Sequence, residues 1–310
     1  MSDFFDASVI TRTHRGIYGI IRRGDKILLI KKARGPYTGL YDLPGGSPED
    51  GETSLETLTR EIKEETGCDL IAGKNEREVT ILFSAFTAAS GEKGCMKHTG
   101  VLFDADVSGE PATTGDGLDS NGAVWIDINQ LSGENATPFA LMGAGKEVIA
   151  LADETGRWID VGVRGETRPE NRAVVIAAVL IFTSQGKLVL GRVSAQKRAY
   201  AGRWSYSAAG HVAAGEMCRD AALREMKEET GIIGKIESDI GRTRVMNEGH
   251  IRAFHYVFKV VSDDLIIPDP SEISEIREFT ISELKQLIQQ DPNQFHESLV
   301  AILKQKFLSD

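Results

Sequence analysis

Eight residues occur almost unchanged twice in this chain, and this repeat constrains the fold more than any other feature. REIKEETG occupies residues 60–67 and REMKEETG occupies residues 224–231, so the copies differ only at Ile62 and Met226. They begin 164 residues apart, since 224 minus 60 is 164. An internal repeat indicates a duplicated structural unit, and this spacing is about the size of an ordinary domain. The repeat therefore predicts two domains of the same architecture.

The length and composition of the chain agree with two globular domains. Its 310 residues are 41% hydrophobic and 26% charged, which is typical of domains that bury a core. We predict a first domain over residues 1–149 and a second over residues 150–310. No stretch rich in glycine, proline and serine separates them as a flexible linker would, so we expect the domains to pack against each other.

Each half follows the same order of predicted elements. An apolar strand, a turn and a second strand occupy residues 17–30, and the same pattern returns at residues 174–191. A loop with basic and aromatic residues, the repeated helix, further strands and a closing helical region follow. The run AVVIAAVLIF at residues 173–182 predicts a strand buried on both faces, and residues 108–122 predict a surface loop. The pattern indicates a mixed α/β fold.

Charge and cysteine content limit the partners and the compartment. The formal net charge of −10 argues against general binding to nucleic acid or to anionic membranes. Cys68, Cys95 and Cys218 are odd in number and widely spaced, which supports neither a disulfide framework nor a zinc site. The first residues lack the pattern of a signal peptide, and no apolar run is long enough to span a membrane. We therefore expect a cytoplasmic protein, whose oligomeric state stays open.

The repeated octet predicts a helix that carries three carboxylates on one face. Thr53 and Glu56 have the spacing of a capping box, and a glycine at position 67 is typical of the residue after a helix end. Glutamates at positions i, i+3 and i+4 share a helix face, which groups residues 61, 64 and 65 and likewise residues 225, 228 and 229. A surface ladder of ion pairs is the alternative. Because like charges on one face repel, a bound Mg²⁺ or Mn²⁺ explains the pattern better.

The residues around each octet resemble the signature box of the Nudix hydrolases. Residues 46–68 read GSPEDGETSLETLTREIKEETGC, and residues 210–232 read GHVAAGEMCRDAALREMKEETGI. Both have a glycine, five residues, a glutamate, seven residues and then Arg-Glu-apolar-x-Glu-Glu-x-Gly-apolar. The first copy departs from this pattern at Cys68, where the family prefers an aliphatic residue. Nine specified positions that occur twice at fixed spacing make the resemblance specific.

The resemblance implies a fold, an activity and a set of residue roles. It implies two tandem α/β/α sandwiches, each with a mixed sheet, that hydrolyse a nucleoside diphosphate linked to another group with a divalent metal such as Mg²⁺ or Mn²⁺. By position in the box, Arg60 and Arg224 resemble the arginine that orients the glutamates. The first glutamates of the boxes, Glu52 and Glu216, would support the site. The implied metal ligands are Glu61, Glu64, Glu65, Glu225, Glu228 and Glu229. Of these, Glu61 and Glu225 could instead act as the catalytic base.

The loops before the boxes supply further candidate site residues. Gly45, Gly46 and Gly210 allow the backbone to come close to the metal. Basic and aromatic residues of the approach loops could grip phosphates or stack on a base, and these candidates are Arg34, Tyr37, Arg192, Lys197 and Arg198. Tyr41 and Trp204 hold matched positions in the two loops and are more simply explained as core residues.

Three questions remain open from the sequence. The second half resembles the isopentenyl-diphosphate isomerase branch of the family, but the cysteine on which those isomerases rely is replaced by Ser207-Ala208-Ala209. One half could also be a ligand-binding, regulatory or structural module rather than an enzyme. A catalytic base on a later loop could be Asp119, Glu248 or Glu275.

Overall fold

The computed structural model describes residues 10–87, 93–113 and 120–308. These residues form two compact units. We call the first the N-unit, which consists of residues 10–150 and Trp158–Arg168, and the second the C-unit, which consists of Leu151–Arg157 and residues 169–308.

The described residues contain strands β1 to β17 and helices α1 to α5. The strands are β1 Ile10–Ile20, β2 Arg22–Arg23, β3 Lys26–Lys32, β4 Tyr41–Asp42, β5 Gly45–Gly46, β6 Asp69–Thr87, β7 Lys93–Ser108, β8 Ser120–Asp127, β9 Val148–Ala152, β10 Trp158–Val163, β11 Ala173–Phe182, β12 Leu188–Val193, β13 Trp204–Ser205, β14 Ala208–His211, β15 Ser238–Asn247, β16 His250–Val261 and β17 Ile273–Phe279. The helices are α1 Ser54–Thr66, α2 Pro138–Gly143, α3 Cys218–Thr230, α4 Ile281–Gln290 and α5 Glu297–Lys306. None of the helices in this part of the chain has the length and apolar character needed to cross a membrane.

The strands of the N-unit pair in both orientations. β1 runs parallel to β7 and antiparallel to β5, and β7 continues into an antiparallel pair with β6. A second group is centred on β3, which pairs antiparallel with β2, β4 and β8. β5 is short, but it carries Gly45, which precedes the first box, and Gly46, with which the box begins. Its pairing with β1 fixes these glycines beside the start of the box.

The C-unit repeats the main strand pairings of the N-unit. β11 runs parallel to β16 and antiparallel to β14, and β16 pairs antiparallel with β15. β12 pairs antiparallel with β13 and β17, as β3 does with β4 and β8. β11 is buried along most of its length, as its apolar sequence predicts. The predicted α/β class, with a mixed sheet in each half, is confirmed.

Each box forms a helix whose apolar side packs into a core. Leu58 and Ile62 of α1 are fully buried, in the cluster that also contains Ile17 of β1. In the C-unit, Ala222 and Met226 occupy the corresponding buried positions of α3. Because burial fixes one side of each helix, the charged side is held toward the loop that precedes the box.

The two box helices end alike and begin differently. Thr53 and Glu56 form the predicted capping box of α1, with the Thr53 hydroxyl accepting from the Glu56 amide. At the start of α3, Met217 offers no side-chain cap. Both helices stop at a glycine, Gly67 or Gly231, with φ of 74°. This left-handed backbone is unfavourable for other residues, so the glycine sets the helix end.

A further core of the C-unit is built on the helices that close the chain. Ala178 and Leu180 of β11 pack in one cluster with Leu284 of α4 and with Leu299 and Leu303 of α5. The box helix α3 packs against β11 and β14. Helices therefore cover the sheet of this unit, as the predicted sandwich requires.

Candidate active site

Arg60 is the centre of a carboxylate network in the N-unit. Its Nε donates to Glu52 at 2.8 Å, and its Nη1 donates to Glu61 at 2.8 Å and to Glu64 at 3.2 Å. Its Nη2 donates to Glu52 and to the carbonyl oxygen of Ser47. These hydrogen bonds from Arg60 lower the pKa of Glu52 to about 2. One guanidinium therefore fixes three box carboxylates and the loop before the helix.

Arg224 makes the same network in the C-unit. Its Nε donates to Glu216 at 2.9 Å, and its Nη1 donates to Glu225 at 2.6 Å and to Glu228 at 3.2 Å. Its Nη2 donates to Glu216 and to the carbonyl oxygen of His211. The two networks agree donor by donor, although they are built from separate parts of the chain.

The last box glutamate of each unit binds the glycine-rich loop instead of the arginine. Glu65 accepts from the amide of Gly45 at 2.8 Å, and Glu229 accepts from the amide of Ala209 at 3.0 Å. Burial raises the pKa of both carboxyl groups to about 8. A carboxylate that is buried and has other carboxylates nearby is stabilised by a cation.

The first glutamate of each repeated octet, Glu61 or Glu225, lies against a glycine. A Cβ atom at Gly46 would come within 2.4 Å of a carboxylate oxygen of Glu61, and one at Gly210 would come within 2.1 Å of the Glu225 carboxylate. Burial raises the pKa of Glu61 and of Glu225. Only glycine leaves room for these carboxylates beside the strand, which explains the residue type at both positions.

The donor set of the box fits a hard divalent cation. All the side chains involved are carboxylates, which Mg²⁺ and Mn²⁺ prefer. Among the described residues, no three His, Cys, Asp or Glu side chains are arranged around a single metal position. In the N-unit, Glu61 and Glu64 share the Arg60 guanidinium, while Glu65 turns to Gly45. The carboxylates of each box are close along one helical turn, and metal binding would require them to exchange these partners.

A cavity of about 640 Å³ opens in front of the first box. Box residues Arg60, Glu61, Glu64 and Glu65 line it, together with Gly45 and Gly46. The predicted substrate-binding residues Arg34 and Tyr37 also lie in its wall. The structure therefore brings the predicted metal ligands and two predicted substrate-binding residues of the N-unit to one cavity.

A buried polar cluster lines part of this cavity. The hydroxyl of Tyr18 lies 2.9 Å from Nε2 of His98, and the hydroxyl of Tyr37 lies 3.2 Å from Nδ1. Burial lowers the pKa of His98 to about 3, so its ring is neutral. Asp42 lies in the same wall and is 2% exposed, and its burial raises the pKa of the carboxyl group to about 6.

The approach loop of the C-unit is held by ion pairs. Arg192 donates to Glu275 at 3.2 Å, and Lys197 forms a short ion pair with Glu272. Arg198 is exposed. The predicted cations of this loop are thus partly neutralised by acidic residues that lie just before and within β17.

The aromatic residues matched between the approach loops differ in burial. Trp204 is buried and packs edge-on against Phe279. Tyr41 is half-buried, and the ammonium of Lys31 lies 6.0 Å from its ring centre.

The candidate bases on later loops lie in different surroundings. Asp119 lies outside the described residues, and Glu248 lies in the turn between β15 and β16. Glu275 is paired with Arg192. Glu272, which the sequence did not single out, acts electrostatically on Glu229.

Several residues of the cavity wall were not predicted from the sequence. These are Arg12, His14, Tyr18, Asp42, Met96 and His98. They come from β1 and β7, which pair with each other, and from β4 of the second group of strands. Only a comparison of the two approach loops could have pointed to one of them. When the two copies of the repeat are aligned, the acidic Asp42 of the first copy corresponds to Ser205 of the second.

Comparison with known proteins gives two matches to one domain family. The profile described as the NUDIX domain matches residues 12–144 and again residues 171–299. The chain is 36% identical over 131 residues to an uncharacterised Nudix hydrolase of Pseudomonas aeruginosa, PA4841, covering 42% of this chain and 77% of that protein.

Two further relatives carry names that describe an activity. The chain is 40% identical over 114 residues to the ADP-ribose pyrophosphatase of Methanocaldococcus jannaschii, covering 36% of this chain and 61% of that protein. It is 30% identical over 165 residues to the isopentenyl-diphosphate Delta-isomerase of Brevibacterium linens, covering 50% of this chain and 88% of that protein.

Proposed function

Because the chain belongs to the Nudix hydrolase family and contains two NUDIX domains, we propose that it hydrolyses a phosphoanhydride bond in a nucleoside diphosphate linked to another group. The reaction depends on Mg²⁺ or Mn²⁺, and each unit holds one active site.

The observation that carries this proposal is the agreement between the two arginine networks. Arg60 and Arg224 each bind three box glutamates and one loop carbonyl, at distances that differ by 0.2 Å or less between the units. A repeat kept only for folding would not need to retain carboxylates that repel one another. Both units have kept all of them.

We assign the metal-holding role to the box glutamates. Glu61, Glu64 and Glu65 would hold the ion in the N-unit, and Glu225, Glu228 and Glu229 would hold it in the C-unit. A bound divalent ion neutralises phosphate charge and makes water more acidic.

The remaining roles belong to the protein's own groups. Arg60 and Arg224 orient the glutamates, which makes them positioning residues. Glu61 and Glu225 are half-buried beside the glycine loop, where either could accept the proton of the attacking water. Water adds to one phosphorus atom, and the bridging oxygen leaves with the other phosphate.

ADP-ribose is the first substrate to test. The relative from Methanocaldococcus jannaschii is named an ADP-ribose pyrophosphatase. The cavity of the N-unit, about 640 Å³, is in the usual range for ligand pockets and is lined by Arg12, Lys32 and Arg34, which suit an anionic ligand. The net charge of −10 supports a small molecule rather than a nucleic acid as the partner. The three cysteines are buried and form no disulfide, which supports a reducing cytoplasm.

A catalytic N-unit with a regulatory C-unit is the second candidate. It is favoured by the ion pairs of Lys197 with Glu272 and of Arg192 with Glu275, because these leave less positive charge for a substrate in the C-unit.

Isomerisation of isopentenyl diphosphate by the C-unit is a weaker candidate. The hydroxyl of Ser207 donates to the carbonyl oxygen of Val189 and accepts from the amide of Ile181 at 2.8 Å. This hydroxyl therefore stabilises the sheet by joining β11 to β12. Burial raises the pKa of Cys218, so that this thiol is not reactive at neutral pH.

The test of the proposed function is a substrate panel with and without metal. The panel contains ADP-ribose, NADH, dinucleoside polyphosphates, nucleoside triphosphates and isopentenyl diphosphate. We expect Mg²⁺-dependent cleavage of at least one phosphoanhydride, its loss in EDTA and its return when Mg²⁺ is restored. Isomerised isopentenyl diphosphate without any cleavage would favour the isomerase. Binding of panel members without turnover would favour a sensor.

Adding a methyl group at the glycines beside the box tests the geometry of the site. We expect Gly46→Ala together with Gly210→Ala to lower kcat by about 100-fold, because the new Cβ would displace the Glu61 and Glu225 carboxylates. Neither glycine has a positive φ, and the displaced atoms are the ends of flexible side chains. The unfolding midpoint should therefore change little.

Gly234→Ala is the matched control, because a Cβ there would meet nothing closer than 3.5 Å. Unchanged kcat in the double variant would contradict the assignment of Glu61 and Glu225 to the active sites.

A further inference from the structure

The N-unit cavity contains a buried carboxylate with one unused oxygen. Oδ1 of Asp42 accepts from the amide of Leu43 at 2.9 Å and from the hydroxyl of Thr137. Within the described part of the chain, no donor reaches Oδ2. The side chain is 2% exposed and lies in the wall of the cavity. Because this oxygen lies at the cavity wall with its hydrogen-bonding capacity unused, it can accept from a ligand in the cavity.

Lys32 is the cation whose charge opposes the rise that burial causes in the pKa of Asp42. It is half-buried, it lines the same cavity, and its charge acts on Asp42, Glu61 and Glu65. Among the residues that the structure describes, none has a carboxylate in ion-pair contact with the Lys32 ammonium. Lys32 therefore lines the same cavity as the box glutamates and Asp42, and its ammonium can donate hydrogen bonds to a ligand there.

The C-unit provides an internal comparison for this pair. Backbone hydrogen bonds align Lys32 with Val193. Each donates its amide to the carbonyl oxygen of the middle residue of a Gly-x-aromatic segment, which is Leu40 in the N-unit and Arg203 in the C-unit. The aromatic residues that follow, Tyr41 and Trp204, occupy equivalent places opposite Lys31 and Arg192. The residues after them are Asp42 and Ser205.

The same fold is thus built with Val193 and Ser205 in place of Lys32 and Asp42. Folding does not require a lysine and a carboxylate at these positions. This difference points to a role in recognising a ligand rather than in supporting the sheet.

One of the two tyrosine hydroxyls that line the cavity, Tyr18 or Tyr37, can donate a hydrogen bond to a ligand. Neutral His98 has one ring N–H and one acceptor nitrogen, and it contacts the hydroxyls of Tyr18 and Tyr37. One hydroxyl must donate to the ring and the other must accept from it. The accepting hydroxyl keeps its own proton for another acceptor in the cavity.

From these contacts we infer that Lys32 and Asp42 form a recognition pair for a sugar phosphate, in which Lys32 binds a phosphate oxygen and Asp42 accepts from a sugar hydroxyl. A hydroxyl is favoured over an ammonium group because the Lys32 charge lies nearby. This inference rests on the proposed function in one respect, namely that the cavity is the substrate site. It assigns to the N-unit a specificity for hydroxylated substrates that the C-unit lacks.

A structural role for Asp42 predicts a different outcome and can be separated. Its Oδ1 holds Thr137, which caps α2. Asp42→Asn keeps an oxygen that can accept from Thr137 and Leu43, but it replaces the other oxygen with an amide donor. A purely structural role would leave ligand binding in this variant unchanged.

The experiment uses Met96 as a local reporter, because this residue lines the cavity. The full chain is labelled with ¹³C-methyl methionine, the Met96 signal is assigned with Met96→Leu, and Met226 of α3 reports on the C-unit. Inorganic phosphate and ribose 5-phosphate are titrated into wild type, Lys32→Met, Asp42→Asn and the control Lys31→Met. Lys31 lies on the same strand, but its side chain points to the opposite face.

The two probes separate the two roles. We expect Lys32→Met to raise the Kd of both probes by about tenfold, and Asp42→Asn to raise only that of ribose 5-phosphate by about tenfold. Lys31→Met should change either Kd by less than about twofold. The spectrum and the unfolding midpoint without ligand show whether each variant is folded.

Equal effects of Asp42→Asn on both probes, no effect of Lys32→Met, or a Met96 signal that neither probe moves would overturn the inference. These titrations need no turnover. A failure of the proposed function, seen as an absence of phosphoanhydride cleavage, is therefore distinguishable from a failure of the recognition pair.

Discussion

Glu65→Gln combined with Glu229→Gln is expected to lower phosphoanhydride hydrolysis by about 1,000-fold, the largest effect that we predict for any change at the two sites. Each glutamine keeps an acceptor for the amide of Gly45 or Ala209 but cannot carry the charge that a divalent ion requires. A loss of several kcal/mol of transition-state stabilisation corresponds to this factor. The measurement is kcat/KM at saturating Mg²⁺ for each substrate that wild type cleaves.

The single variants Glu65→Gln and Glu229→Gln show which substrates each of the two sites cleaves. If Glu65→Gln and Glu229→Gln abolish the cleavage of different substrates, two enzymes share one chain. If only one of them matters, the other unit binds a regulator or serves the fold. Glu56→Gln is the control, because it removes a charge from α1 at the capping box, away from the Arg60 network, and glutamine also forms capping boxes. Full activity in the double variant would refute metal binding by these residues.

Arg60→Met is expected to affect both activity and stability in the N-unit. Methionine keeps much of the aliphatic stem but leaves Glu52, Glu61 and Glu64 without their shared donor. We expect kcat at the N-unit site to fall by about 100-fold, since groups that orient metal ligands through hydrogen bonds have effects of this size. The free energy of unfolding should fall by about 2 kcal/mol, as for the loss of hydrogen bonds to charged groups. Activity assays and thermal unfolding measure the two effects.

Arg60→Lys sharpens this test. Lysine keeps the positive charge but cannot donate in parallel to Glu52 and Glu61, so we expect it to recover part of the stability and little of the activity. Arg77→Met is the control for loss of an exposed arginine, because Arg77 pairs with Asp104 at the surface. Recovery of full activity by lysine would indicate that charge alone matters and would contradict the positioning role.

The features that the sequence predicted well are local. The start of α1 at its capping box and the end at Gly67 depend on residues within a few positions of one another, and both were found as predicted. The buried strand β11 was predicted by a continuous apolar run. The order of strands could be read twice because the chain repeats it.

The features that the sequence did not predict depend on distant pairing. Lys197 and Glu272 are 75 residues apart, so no local pattern links them. His98 meets Tyr18 only because β7 lies parallel to β1. β6 also extends well beyond its apolar run, because it pairs with β7 along most of its length. Strand register therefore decides which polar residues reach the cavity.

The hydroxyl of Ser207 ties together two strands just before the second box. This one side chain joins Ile181 of β11 to Val189 of β12 through two hydrogen bonds. A cysteine at the same place would offer a larger sulfur atom that is a weak donor and a weak acceptor. Exchange of this hydroxyl for a thiol would therefore weaken both hydrogen bonds, so the residue type at this position is constrained by the sheet and not by the chemistry of the neighbouring box.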